Sequence, residues 1–220
     1  MTTAPFGRLR SGKAIAYRPE NDHTFVVCGP ANRVKDPVRA VLGAVLNDGH
    51  TAHLIDLLGR GKAMQFAANH LTSTAITLDD AKSTIDTVFA EVARRRRHGT
   101  SDDDPSVYLT VLGVETLLVD SSSDDHDTVS KKHSIAVNLG YIGVVGYDYG
   151  VHLILTAEND DQLHRLPGAP FQALTAHMDE VDAVVNDGIE DVIFEPAHPN
   201  PDILRDALET FRPSETGPSR

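Results

Sequence analysis

The chain has 220 residues, 40% of them hydrophobic and 24% charged, enough for one substantial core and ordinary for a globular protein. No run approaches the roughly 18 apolar residues that a membrane helix needs, and a single cysteine, Cys28, excludes an intrachain disulfide, a CxxC motif and a Cys/His metal cluster by count. With 20 Lys and Arg against 32 Asp and Glu, the net charge of -12 argues against a surface built to neutralise phosphates.

In chain order, Met1 to Arg10 carries basic residues with no apolar stretch behind them, so the expected location is cytoplasmic. Residues 24–28 (TFVVC) form a β-branched strand ending in Gly-Pro, with Cys28 as an inert core residue. Residues 37–46 (PVRAVLGAVL) follow with helical spacing of Val38, Val41, Leu42 and Val45. A second strand is expected at residues 53–58 and a long helix at 78–97, with Ile85, Val88, Phe89 and Val92 on one face. Asp79 and Asp80 start that helix and four arginines end it. Residues 107–112 (VYLTVL) and 151–156 (VHLILT) are the third and fourth strands, and 134–145 reads as a helix.

The Ser/Asp-rich stretch at about 120–130 reads as an exposed, mobile acidic loop. Near the C-terminus, residues 171–176 and 192–194 are expected edge strands around a short helix at about 179–185. Residues 212–220 read as a disordered tail. Strands alternating with amphipathic helices imply a single α/β domain over 1–211 around a mostly parallel sheet.

The first strand runs into Gly29-Pro-Ala-Asn-Arg33-Val34-Lys35-Asp36 and then a helix, the frame of the phosphate-binding pattern G-x-x-x-x-G-K-[ST] with two substitutions. Gly29 and Lys35 are in register. Val34 stands where a glycine lets the backbone amides face phosphates, and Asp36 where a hydroxyl holds Mg²⁺. A β-branched residue at positive φ would cost on the order of 1–3 kcal/mol. Asp-Pro is also a strong helix start, with Asp36 as N-cap and Pro37 at the first helical position. The loop therefore reads either as a damaged phosphate cradle or as a helix capped by its own carboxylate, and the two substitutions favour the second.

Around this loop the chain resembles the FtsK/SpoIIIE family of DNA translocase motor domains. Phe6-Gly-Arg and Gly12 to Tyr17 look like the family's hairpin ahead of the nucleotide loop, placed here at about 6–20, and Asp22-His23 leads the strand into the loop. His53-Leu-Ile-Asp56 is similar to the family's "IDPK" strand without its proline and lysine. Glu91-Val-Ala-Arg94-Arg95-Arg96 resembles the end of its long helix, and residues 105–112 occupy the position of its Walker B strand. Residues 149–156 (YGVHLILT) are very similar to its "GIHLVLATQRP" strand.

The resemblance implies a RecA-like P-loop NTPase sandwich of three layers, of the FtsK-HerA group, with ATP and Mg²⁺ as the cofactors in question. It also implies a homo- or hetero-oligomer, with DNA reached through the assembly. The departures fall on the chemistry. Glu115 aligns with the Walker B glutamate, with no aspartate before it, and the family's Thr-Gln-Arg sensor aligns with Ala157-Glu158-Asn159.

The expected function is thus an ATPase-deficient structural or regulatory subunit of a translocation assembly. Two alternatives stay open: a divergent active translocase using Lys35, Glu115 and an aspartate such as Asp56, and a protein-binding module without nucleotide. Arg95 and Arg96 are candidates for reaching a neighbour's nucleotide in a ring, against the plainer reading of cations at a helix C-terminus. The acidic Asp124–Asp127 cluster reads as solvated surface, His152 as a core histidine with a satisfied partner, and no metal site is expected.

Overall fold

The computed structural model describes residues 2–101, 104–168, 173–179, 182–186 and 191–210. Its strands are β1 Ala4–Leu9, β2 Ala14–Tyr17, β3 Thr24–Cys28, β4 Thr51–Ile55, β5 Ser73–Ala75, β6 Val107–Val111, β7 Val151–Ala157, β8 Ala173–Met178, β9 Ala183–Asn186 and β10 Asp191–Pro196. The helices are α1 Lys35–Asn47, α2 Leu78–His98, α3 Glu115–Leu118, α4 His126–Val145 and α5 Pro201–Thr210. All ten strands join one sheet in the order β2-β1-β10-β9-β8-β3-β7-β6-β4-β5.

From β8 to β5 every neighbouring pair is parallel, and from β2 to β8 every pair is antiparallel. The parallel half explains why β3, β6 and β7 read as continuous apolar runs: both faces of these strands are covered. Phe25, Val27, Leu54, Tyr108 and Ile154 face α1 and α5, whereas Val26, Ile55, Leu109, Val111, Leu153 and Leu155 face α2, α3 and α4. Alternation at period two thus splits one sheet between two cores, giving the expected three layers.

The N-terminal hairpin β1–β2 docks through aromatics. Phe6 lies 4.8 Å from Phe25 and 5.5 Å, edge-on, from Phe194, tying the antiparallel half of the sheet to β3. Gly7 is required there, because a Cβ would sit 2.4 Å from the Phe194 ring.

Four expectations at the second half of the chain are corrected. Strand β8 is not an edge, since it lies between β3 and β9, and β10 lies between β1 and β9; residues 171–172 of the expected strand fall outside the described residues. No helix occupies the described part of 179–185: the chain turns with the Asp179 amide bonded to the Asp182 carbonyl and enters β9, where Ala183-Val-Val suits a pleated surface.

The acidic stretch at 120–130 is half helix. The Asp125 side chain accepts from the Thr128 amide at 2.8 Å and caps α4, so the helix starts at His126 rather than near residue 134. Asp124 pairs with Lys132 at 2.6 Å. Helix α5 was not anticipated, and the expected tail at 212–220 lies outside the described residues.

His152 is a core residue as expected, stacked on Tyr108 at 4.9 Å, yet its Nδ1 is buried without a hydrogen-bond partner among the described residues. Burial, helped by the nearby His50 and His23, pushes its imidazole down to about 4. Below the free value of about 6.5 the unfolded chain takes a proton that the folded chain refuses, so stability falls as pH drops from about 6.5 towards 4. Between pH 6.5 and 5 this group alone removes about 2 kcal/mol. Urea unfolding at pH 7 and pH 5 measures it: His152→Phe flattens the slope by that amount, and parallel slopes in parent and variant contradict the assignment.

Candidate functional site

The C-terminal ends of β3, β4, β6 and β7 open onto one cleft, as open parallel sheets commonly arrange their ligand sites. Its volume is about 530 Å³, and its lining includes Gly29, Lys35, Asp56, Lys62, Glu115 and Glu158. Of the expected site residues, Gly29, Val34, Lys35, Glu115, Ala157 and Glu158 all converge on it. Two groups the pattern did not rank come with them: Lys62, from a Gly-Arg-Gly-Lys run after β4, and Thr156. Asp56, set aside as a substitute aspartate, is also in the lining.

Gly29 leaves β3 at φ 138, its amide bonded to the Ala157 carbonyl at 3.0 Å, and a Cβ there would lie 2.3 Å from the Met178 carbonyl oxygen. No side chain fits. Beyond it the chain does not arch. The amides of Arg33 and Val34 both donate to the Pro30 carbonyl, at 2.8 and 3.2 Å, a helical turn that continues into α1. Val34 takes φ -71 and ψ -17, so it carries no positive-φ strain.

The expected Asp36 cap is corrected by the same geometry. The helix begins at Lys35 with Val34 at the N-cap and no side-chain cap bond, which puts Asp36 and Pro37 inside the first turn. The Asp36 carboxylate turns away, accepting from Arg39 Nη1 at 2.9 Å and meeting His198 Nδ1 at 2.8 Å. Arg39 also donates through Nε to the Ala63 carbonyl at 2.9 Å, so this knot joins α1, the turn Lys62–Ala67 and the segment before α5.

Asp56 is 3% exposed and spends both oxygens on the loop beside it, accepting from the Gly59 amide at 2.7 Å and the Gly61 amide at 2.9 Å. Glu115 differs. It opens α3 just after Gly113, its Oε2 is buried without a partner among the described residues, and burial pushes its carboxyl above the usual range. At the end of β7, Thr156 Oγ1 accepts from the Gly113 amide at 2.7 Å, which locks the two loops together. In chemical terms the cleft offers two lysine cations for an anion, the exposed Glu158, and one half-buried carboxylate, Glu115, with a buried oxygen free to accept a proton.

The arginine pair is elsewhere. Arg95 is 4% exposed and holds Glu91 Oε1 at 2.6 Å, the Tyr149 carbonyl at 3.0 Å and the Pro105 carbonyl at 2.8 Å. These carbonyls precede β7 and β6, at the end of the sheet opposite the cleft. Arg95 is therefore an internal clamp, and the expectation that it serves a neighbouring subunit is overturned by its burial. Arg96 is exposed, donating to the Tyr141 hydroxyl at 3.0 Å.

No protein-family model matches the chain, and no curated protein sequence matches it. Solved structures do resemble it. The conjugation coupling protein TcpA of pCW3, in its monomer form with ATPgS, superposes with a TM-score of 0.82 at 13% identity, over 96% of this chain and 71% of TcpA. The cytoplasmic domain of the Thermomonospora curvata type VII secretion ATPase EccC gives 0.68 at 13% identity, over 94% of this chain. EssC (ATPases 2 and 3) from Geobacillus thermodenitrificans gives 0.65 at 11% identity, over 96%. This chain spans 31% of the EccC chain and 49% of the EssC chain. The fold is the one that these ATPase structures share. No helix among the described residues is long and apolar enough to cross a membrane.

Removing the Arg95 side chain strands the Tyr149 and Pro105 carbonyls in the interior, while Glu91, whose carboxyl Arg94 and Arg95 hold down at about 2, keeps Arg94. Arg95→Met is expected to cost about 2–4 kcal/mol in urea unfolding, whereas Arg96→Met stays within about 0.5 kcal/mol. Equal effects of the two would remove the distinction.

Proposed function

We propose that this chain is an FtsK/SpoIIIE-like P-loop NTPase-fold domain that no longer turns over ATP and acts as a structural or regulatory subunit of a DNA-translocation or related assembly. The observation that carries this reading is the double donation from Arg33 and Val34 to the Pro30 carbonyl. A phosphate cradle needs those amides turned outward towards the anion, and here they are consumed inside the turn.

Three further features support it. Asp36, at the position of the Mg²⁺-binding hydroxyl, is bonded to Arg39 and His198 instead. Asp56 has both oxygens engaged by backbone amides, and Ala157-Glu158-Asn159 bring neither hydroxyl nor cation to the sensor position. The residues present do not fit Mg-ATP held as a P-loop holds it, and losing several cooperating groups leaves little rate. Rings of this fold set one subunit against the next, so a homo- or hetero-oligomer is the natural state for such a subunit. At a net charge of -12, DNA is reached through the assembly rather than by this chain alone.

One observation favours a second reading. The cleft is large and lined by Lys35, Lys62 and Glu115, whose Oε2 has no partner among the described residues. A divergent translocase would use Lys35 for phosphate, Glu115 to activate water and Asp56 for the metal.

Thermal unfolding with and without excess Mg-ATP separates the two. A ligand at one hundred times its Kd adds about 2.7 kcal/mol, so the first reading expects superimposable melts for parent and Lys35→Ala. It also expects no DNA-stimulated phosphate release. An upshift that Lys35→Ala abolishes, with phosphate release that Glu115→Gln abolishes, establishes the second. Light scattering with and without DNA tests assembly, and a strict monomer indifferent to DNA overturns the subunit role.

A further inference from the structure

A mixed metal site is assembled at the end of the sheet by residues far apart in sequence. Cys28 closes β3, His177 is its directly paired neighbour on β8, and Asp160 follows β7, the strand on the other side. Cys28 Sγ lies 2.9 Å from Asp160 Oδ1, His177 Nε2 lies 3.5 Å from Asp160 Oδ2, and one ligand atom from each of the three falls within 4.8 Å of the others. Register enforces this convergence: paired residues on neighbouring strands put their side chains on the same face.

We propose that Cys28, Asp160 and His177 bind a thiophilic divalent cation of the zinc class, leaving a fourth position to water or an added ligand. A tetrahedral zinc with sulfur at about 2.3 Å and nitrogen and oxygen at about 2.0–2.2 Å holds its ligand atoms about 3.3–3.6 Å apart. The three ligand atoms, all within 4.8 Å of one another, already lie near that spacing. One thiolate, one imidazole and one carboxylate suit zinc or cobalt, and not the hard Mg²⁺ that prefers oxygen and water. Asp160 and His177 are half-exposed and form the entrance, while Cys28 forms the buried floor. On binding, the metal takes the place of the thiol proton, which leaves to solvent. Counting cysteines rules out a CxxC motif, but excluding a Cys/His metal site by the same count is too broad, because one cysteine can contribute a single ligand.

The site is independent of the nucleotide question, because none of its three ligands lines the cleft. What it would do is clip β3, β7 and β8 together at the residue before Gly29.

The test is a cobalt titration of the full, untagged, metal-free chain. Cys28 is the only cysteine, so any thiolate-to-cobalt charge-transfer band reports this site alone. The expected result is such a band at one equivalent, displaced by zinc, lost in Cys28→Ser and shifted at least tenfold to weaker cobalt in His177→Ala and in Asp160→Asn. His126→Ala, in the acidic cluster at the start of α4, leaves it unchanged. A parent protein without the band, a band that survives Cys28→Ser, or one indifferent to both His177→Ala and Asp160→Asn overturns the proposal, whatever the variants' stabilities.

Discussion

The cleft depends on how closely the backbone passes at Gly29. Strand β3 ends between β7 and β8, and its next residue must slip past the Met178 carbonyl while its own amide holds the Ala157 carbonyl. Only a residue without Cβ, at a φ that L side chains rarely adopt, makes that exit. Once it is made, the chain emerges above the sheet at a fixed angle, and the turn through Pro30 leads directly into α1. The glycine is therefore required by the packing of three strands, whether or not a phosphate is ever present. Retention of Gly29 says nothing about ATP, whereas the geometry at residues 30–34 says a good deal.

The same distinction explains what could be read from the sequence and what could not. Buried parallel strands announce themselves as unbroken apolar runs, and helix α2 carries its apolar face at period 3.6, so β3, β6, β7 and α2 were legible within a residue or two. The ordered likeness to FtsK-type segments singled out Gly29, Val34, Lys35, Glu115, Ala157 and Glu158, which the structure brings to one cleft, but not Lys62 or Thr156. Capping was less legible. Asp36-Pro37 and Asp125-His126 are both plausible helix starts on propensity alone, but only Asp125 caps. The difference lies in what stands before each: the turn from Pro30 had already begun the helix before Asp36 was reached. Strands β8 and β10 were read as edges because each has one neighbour distant in sequence, β3 and β1, and no local pattern distinguishes an edge strand from an inner one.

Charged residues around the cleft show a common tendency to turn inward. Asp36 ties α1 to the segment before α5, Asp56 organises the glycine loop after β4, and on the far side Arg95 joins the starts of β6 and β7 to α2. Each is satisfied by its own chain, and each is half-buried or buried, where an unpaired charge would cost several kcal/mol. Such contacts are worth more to the fold than a surface ion pair, and they withdraw the same groups from any ligand. Glu115 is the exception: a buried carboxylate oxygen with no partner is a standing cost unless something else is gained.

That exception bears on how the cleft is related to a working P-loop. Restoring glycine at Val34 would permit the arched path but would not compel it, because the helical turn already satisfies two amides and carries no strain. A hydroxyl in place of Asp36 would release His198 and leave Arg39 its bond to the Ala63 carbonyl alone, loosening the segment before α5 from α1. Each of the two residues is thus built into its own set of contacts, so changing one does not undo the other. The cleft presents its lysines beside a loop closed by ordinary helical hydrogen bonds, so the geometry of that loop decides what the cleft can hold.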